Sequence, residues 1–239
     1  MNNPNLYADD FDGFGRGFAV DAQLSERQSF IRKTYLHVFA GILAFIALET
    51  LYFKTAIGTK IAFAIGPNWW MAMIAFIFVS WIADRWAHSG ASPLKQYFGL
   101  GLFIFAESII FVPLLWMAQR TAPTAIPTAA FLTMAVFGSL TFLVFVTKQD
   151  FSFMRGALFA GSIAAMGVIV ASMIFGFDLG ILFAGAMVLL LCGYILYDTS
   201  NILHHYRTDQ HVGAALALFG SIATLFWYML RLVMILSDD

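Results

Sequence analysis

The sequence predicts an all-α polytopic membrane protein with seven transmembrane helices. Three observations point there. Hydrophobic residues make up 61% of the chain and charged residues only 11%, whereas a soluble domain carries about 25% charged residues. Seven apolar runs, at about 34–53, 68–87, 97–118, 126–147, 156–176, 179–203 and 212–236, are each close to the ~20 residues that span a bilayer. The runs are too long for barrel strands and do not alternate apolar with polar.

Residues 1–33 precede the first run. They are polar, rich in Asn, Asp and Gly, and punctuated by Phe11, Phe14 and Phe18. With no apolar segment behind a positive start, they do not read as a cleavable signal. A disordered tail is expected, followed by one transmembrane domain over 34–239. The connections are short: Pro67-Asn68, then Ser89-Gly90-Ala91-Ser92-Pro93, then Pro123 to Pro127, then Gly176-Phe177-Asp178.

Lys and Arg near span ends set the orientation. With the N-terminus inside, the inner segments hold Arg16, Arg27, Arg32, Lys33, Arg85, Lys95, Lys148, Arg155 and Arg207. The outer ones hold Lys54, Lys60, Arg120 and Arg231. A cytoplasmic N-terminus is expected, with Asp238 and Asp239 outside unless the last span is re-entrant. Small residues along the fifth run (Gly156, Gly161, Gly167) and the sixth (Gly180, Gly185, Gly193) predict close helix packing.

Five carboxylates lie in or at the ends of the spans: Glu49, Asp84, Glu107, Asp178 and Asp198. Asp178 reads as a loop residue, Asp84 as an interfacial partner of Arg85, and Glu49 as near enough to the outer end to reach water. Glu107 lies about ten residues into its span, roughly 15 Å deep. Asp198 lies about five residues from the inner end of its own, roughly 8 Å deep. Ionisable groups at such depth are costly and usually functional. Pairing with Arg85 is the structural alternative for either. Pro113 frees the carbonyl of Ile109, and oxygen ligands of this kind suit a hard cation such as Ca²⁺. His204, His205 and His211 read as a solvated loop that titrates near pH 6.5. The single cysteine, Cys192, allows no disulfide within the chain. No HExxH, GxSxG, P-loop or Ser/His/Asp array can be assembled, so no enzyme activity is expected.

Three blocks carry a resemblance. They are Thr147-Lys148-Gln149-Asp150-Phe151-Ser152, then Gly193-Tyr194-Ile195-Leu196-Tyr197-Asp198-Thr199, then Leu225-Phe226 to Leu230-Arg231 with Leu236 to Asp239. In this order and spacing they resemble a bacterial member of the Bax inhibitor-1 (transmembrane Bax inhibitor motif) family. The resemblance implies that the last helix stands near the centre of two three-helix layers. It also implies a pH-sensitive calcium leak gated by aspartates in the sixth and seventh spans. One aspartate maps onto Asp198, and Arg85 is the nearest match to the family's basic partner.

The second aspartate falls on Gly220, so half of that pair is missing, and Glu107 is the expected substitute. The sequence thus suggests a cation pathway of the bacterial inner membrane, with Asp198, Glu107 and Arg85 at its gate. Asp198 and Glu107 would be the ion-binding carboxylates, with Ca²⁺ as a permeant ion rather than a bound cofactor. The other reading is a non-conducting regulator that binds a membrane protein such as a quality-control protease. The lipid bilayer is the surrounding partner in both, and nucleic acid in neither.

Overall fold

The computed structural model describes residues 18, 20, 22–89 and 92–237. Among them the chain forms helices α1 (Leu24–Lys54), α2 (Ala56–Ile65), α3 (Trp69–Ala87), α4 (Pro93–Thr121), α5 (Ala125–Thr147), α6 (Arg155–Phe175), α7 (Ile181–His204) and α8 (His211–Ser237). Short 3₁₀ turns at Gly66–Asn68 and Ser152–Met154 lead into α3 and α6. Counting α2 and α3 as one interrupted span, seven helices are long and apolar enough to cross a membrane. The described residues contain no strand; one isolated bridge joins Phe18 to Arg207.

Two boundaries differ from the sequence reading. Helix α1 starts at Leu24, inside the stretch expected to be disordered, because Phe30 is buried with Ile202, Ala214 and Leu218 at the ends of α7 and α8. A helix anchored this way continues through its polar first turns. The tail before residue 18, with Phe11 and Phe14, lies outside the described residues. The expected outer connection after Lys54 is helix α2. Thr55 ends α1 in an extended conformation and accepts a hydrogen bond from the Ile57 N–H, so the chain turns and starts again at once.

The spans alternate in direction. We call the face where α1 begins the N-terminal face. It carries the α3–α4, α5–α6 and α7–α8 connections. Helices α1–α4 pack together on one side and α5–α7 on the other, with α8 between them, touching α1, α3, α4, α5 and α7. Central position shows in burial: 56% of the apolar stretch is buried in α4 and α8, against 6% in α6.

Glycine sets two of the close approaches. A Cβ on Gly99 would lie 2.6 Å from the Ala83 carbonyl oxygen and 2.7 Å from the Ala87 nitrogen, so α3 and α4 meet backbone to backbone. A Cβ on Gly193 would strike Leu158 at 2.8 Å, which seats α6 on α7. By contrast, Gly156, Gly167 and Gly185 face open space, so only part of the small-residue pattern is packing.

Candidate functional site

Asp198 sits on the last two turns of α7, 8% exposed, followed by buried Thr199 and Ser200 and one turn after buried Ile195. Its partner is Ser221 on α8, whose hydroxyl donates to Oδ2 at 2.5 Å. A serine one residue beyond Gly220 thus supplies the polar group that faces the carboxylate. Serine in an apolar helix is a readable signal, but only if the face it presents is known. Tyr206, in the turn after α7, stacks on His88 with ring centres 6.2 Å apart. Burial, and then the nearby charges of Asp198 and Asp84, hold its phenol above the usual range.

Arg85 is elsewhere. Its side chain is exposed, and its guanidinium lies 4.2 Å over the Trp81 ring, an arrangement favoured by the ring quadrupole. The expected Asp84–Arg85 pair is replaced by Asp84 with His88, 3.0 Å apart. One helical turn brings residues four apart together, whereas adjacent ones diverge. The hydrogen bond that its ring donates to Asp84 holds the His88 imidazole above its ordinary pKa, against the opposing effect of burial.

Glu107 is 5% exposed on α4, and its Oε2 has no hydrogen-bond partner among the described residues. It lines a cavity of about 580 Å³ with Phe63, Trp69, Trp116, Thr224, Trp227 and Arg231. The cavity opens toward the face opposite the N-terminal one. Arg231, at that end, donates to the Leu179 carbonyl oxygen at 3.2 Å.

Helices α4 and α8 run parallel in fixed register. Phe103 meets Phe219 at 6.1 Å between ring centres, and Phe111 meets Phe226 at 5.7 Å. By that register Glu107 lies within about one turn, about 5 Å, of the level of Ser221. Asp198 and Glu107 are therefore at similar depth, as the sequence suggests. They are not joined, since no hydrogen bond links them and Asp198 is not among the residues lining the cavity. The space beside Gly220 is filled by the Phe103 ring, whose Cζ is 3.3 Å from a Cβ built there. Sequence alone leaves that space open to Glu107; one helical turn of α4 decides otherwise. Among the described residues no three His, Cys, Asp or Glu side chains gather into a metal-binding group.

Glu49 is buried rather than water-facing, and neither carboxylate oxygen has a hydrogen-bond partner among the described residues. The reason is α2, which closes over this end of α1 through Tyr52, Ala62 and Val112. Asp178 is exposed, as expected.

The expected histidine loop is also structured. His205 Nε2 lies 2.9 Å from Asp150 Oδ2. Ser200 donates to Asp150 Oδ1 at 3.3 Å and accepts from the Phe151 N–H at 2.8 Å. Asp150 also accepts from the Ser152 N–H at 2.9 Å. Lys148, with φ 52°, takes the left-handed turn that delivers Asp150 here. Burial alone would raise this carboxyl; hydrogen bonds from Ser152 and the His205 interaction outweigh it and hold the pKa at about 2. His211 lies 3.3 Å from the Tyr97 hydroxyl.

Seven membrane-length helices packed around a central one define a polytopic membrane protein. A family profile described as "Inhibitor of apoptosis-promoting Bax1" matches residues 27–238, and the chain belongs to the Bax inhibitor-1 family. It is 32% identical to an uncharacterised protein of Helicobacter pylori over 92% of this chain and 94% of the relative. It is 26% identical to "Bax inhibitor 1" of Schizosaccharomyces pombe over 90% and 79%. It is 28% identical to "Protein lifeguard 4" of mouse over 92% and 91%.

Proposed function

We propose that the protein is a pH-sensitive cation leak of a bacterial inner membrane, permeable to Ca²⁺, without enzymatic activity, and closed in this conformation. The observation that carries the reading is Asp198, a carboxylate buried in a membrane span and hydrogen-bonded by the Ser221 hydroxyl of the central helix. Such groups mark ion and proton routes. A route would pass from the cavity at Glu107, by Thr224 and the Phe103 ring, to Ser221 and Asp198. Both carboxylates supply the oxygen ligands that Ca²⁺ prefers. The Lys and Arg distribution supports a cytoplasmic N-terminal face. Arg85, over Trp81, takes no part in this closed arrangement.

The test is Ca²⁺ flux into liposomes carrying purified protein, from pH 5 to 8. Protonation of Asp198 would weaken cation binding and alter the gate. Asp198→Asn is therefore expected to flatten the pH profile, and Ser221→Ala to raise basal flux. An unchanged profile for Asp198→Asn removes it from the gate. Absence of flux in the parent protein favours the second reading, a non-conducting regulator docked on another membrane protein. That reading draws on α6, where Leu158 alone among its residues is buried.

A further inference from the structure

The cavity beside Glu107 presents a combination that a bare ion does not satisfy. Its single carboxylate is 5% exposed and its Oε2 is unpartnered. The hydroxyl of Thr224 is engaged with the Gly220 carbonyl oxygen at 2.8 Å. A divalent cation wants six or more oxygens, and among the described residues no three His, Cys, Asp or Glu side chains gather. The remaining wall is mostly apolar and rich in aromatic rings, Phe63, Trp69, Phe111 and Trp227 among them. Volume, about 580 Å³, falls in the range of drug-sized sites, which are apolar with a few placed polar groups. Aromatic faces attract cations, most strongly where water is excluded. The far end carries Arg231, already bonded to the Leu179 carbonyl.

We propose that this cavity is a binding site for a lipophilic organic monocation, its ammonium on the Glu107 carboxylate and its apolar body along the aromatic wall. Charge complementarity selects the occupant. A neutral acyl chain fills the wall but leaves the carboxylate unmet, and an anion is repelled by it. The inference rests on the pathway reading only for its consequence, that an occupant stands over the entrance of the route. Binding itself requires no conduction.

Three probes of the same shape separate the possibilities: 4-phenylbutylamine, 4-phenylbutanol and 4-phenylbutyrate. Quenching of tryptophan fluorescence in protein-loaded nanodiscs, corrected against empty nanodiscs, reads binding, since Trp69, Trp116 and Trp227 line the cavity. The amine is expected to saturate and to bind about tenfold more tightly than the alcohol. Glu107→Gln is expected to abolish that preference and Glu107→Asp to keep it. Met73→Trp, which fills the cavity and spares the carboxylate, is expected to remove binding of both. Equal affinity for amine and alcohol in the parent protein overturns the proposal. So does tighter binding of the butyrate, or amine binding undiminished by Met73→Trp. Should Glu107→Gln fail to fold, the parent's amine preference and Met73→Trp still decide. Amine binding without Ca²⁺ flux leaves the site standing and sinks the pathway; flux with no amine binding does the reverse.

Discussion

Asp198 and Glu107 lie at similar depth beside the same helix, yet one is answered and the other is not. Asp198 faces Ser221. Glu107 faces a cavity and has an oxygen with no partner. Asp198 meets α8 at Ser221, whereas the cavity beside Glu107 is bounded on α8 by Thr224 and Trp227, and each residue turns a helix by about 100°. Depth in the bilayer therefore does not decide what a buried carboxylate does. The side chain on the facing turn decides it.

The largest expected effect tests the answered site. Ser221→Ala leaves a buried carboxylate unmet, which costs about 1–3 kcal/mol. Detergent melting of Ser221→Ala, Asp198→Asn and the double variant should show strong non-additivity. Additive losses would mean that the hydroxyl and the carboxylate do not work as a pair.

Next comes the position between the two sites. Gly220→Asp adds the carboxylate that the family resemblance implies at this position, but its Cβ meets the Phe103 ring at 3.3 Å. Overpacking of this kind costs about 1–3 kcal/mol. Adding Phe103→Ala should recover part of the loss, whereas Glu107→Ala should not. Recovery by Glu107→Ala alone would place the two carboxylates in one pocket and join the sites kept apart here.

At Glu107 itself a smaller change of opposite sign is expected. An unpartnered buried acid gains little from its carboxylate, so Glu107→Gln should be neutral or stabilising, by up to about 1 kcal/mol. A loss comparable to that of Ser221→Ala would reveal a partner and erase the contrast.

The smallest effect lies outside the membrane. Asp150 and His205 are both exposed, at 43% and 46% of the side chain, so the pair is worth about 0–1 kcal/mol. Asp150 has a folded pKa of about 2, below the unfolded value of about 3.9. Its contribution is therefore complete above about pH 4 and is lost as pH falls through about 2. Asp150→Asn should melt below the parent at pH 7, and the gap should close under acid. A gap that persists unchanged at pH 2 would assign the effect to backbone geometry instead.

The spans were legible because hydropathy over ~20 residues is a strong signal, and Glu107 and Asp198 stood out as charges inside them. The central place of α8 came from family resemblance, since its periodicity does not distinguish it from its neighbours. What stayed hidden depends on rotation and on contacts between distant segments. Ser221 is an ordinary serine until α7 is placed beside it, and Phe103 is one phenylalanine among 26 until its ring meets Gly220. Helix α2 was hidden by Lys54, Lys60 and Pro67, which read as a loop when burial against Tyr52 and Val112 is unknown. The Asp84–Arg85 pair gives way to Asp84–His88 because adjacency in sequence is not adjacency on a helix.

The central position of α8 also has a consequence for biosynthesis. Spans enter a bilayer in the order in which they are made, and α8 follows all six others. Until it arrives, the two groups of helices meet mainly where α5 touches α1 and α4. The surfaces that later receive Ser221 and the Gly220 turn, with Asp198 and Phe103 on them, then face lipid or an insertion factor. A nascent chain stalled before residue 211 is thus a membrane-embedded intermediate with an uncompensated acid on an open seam. Completion of a single helix brings Ser221 to that acid.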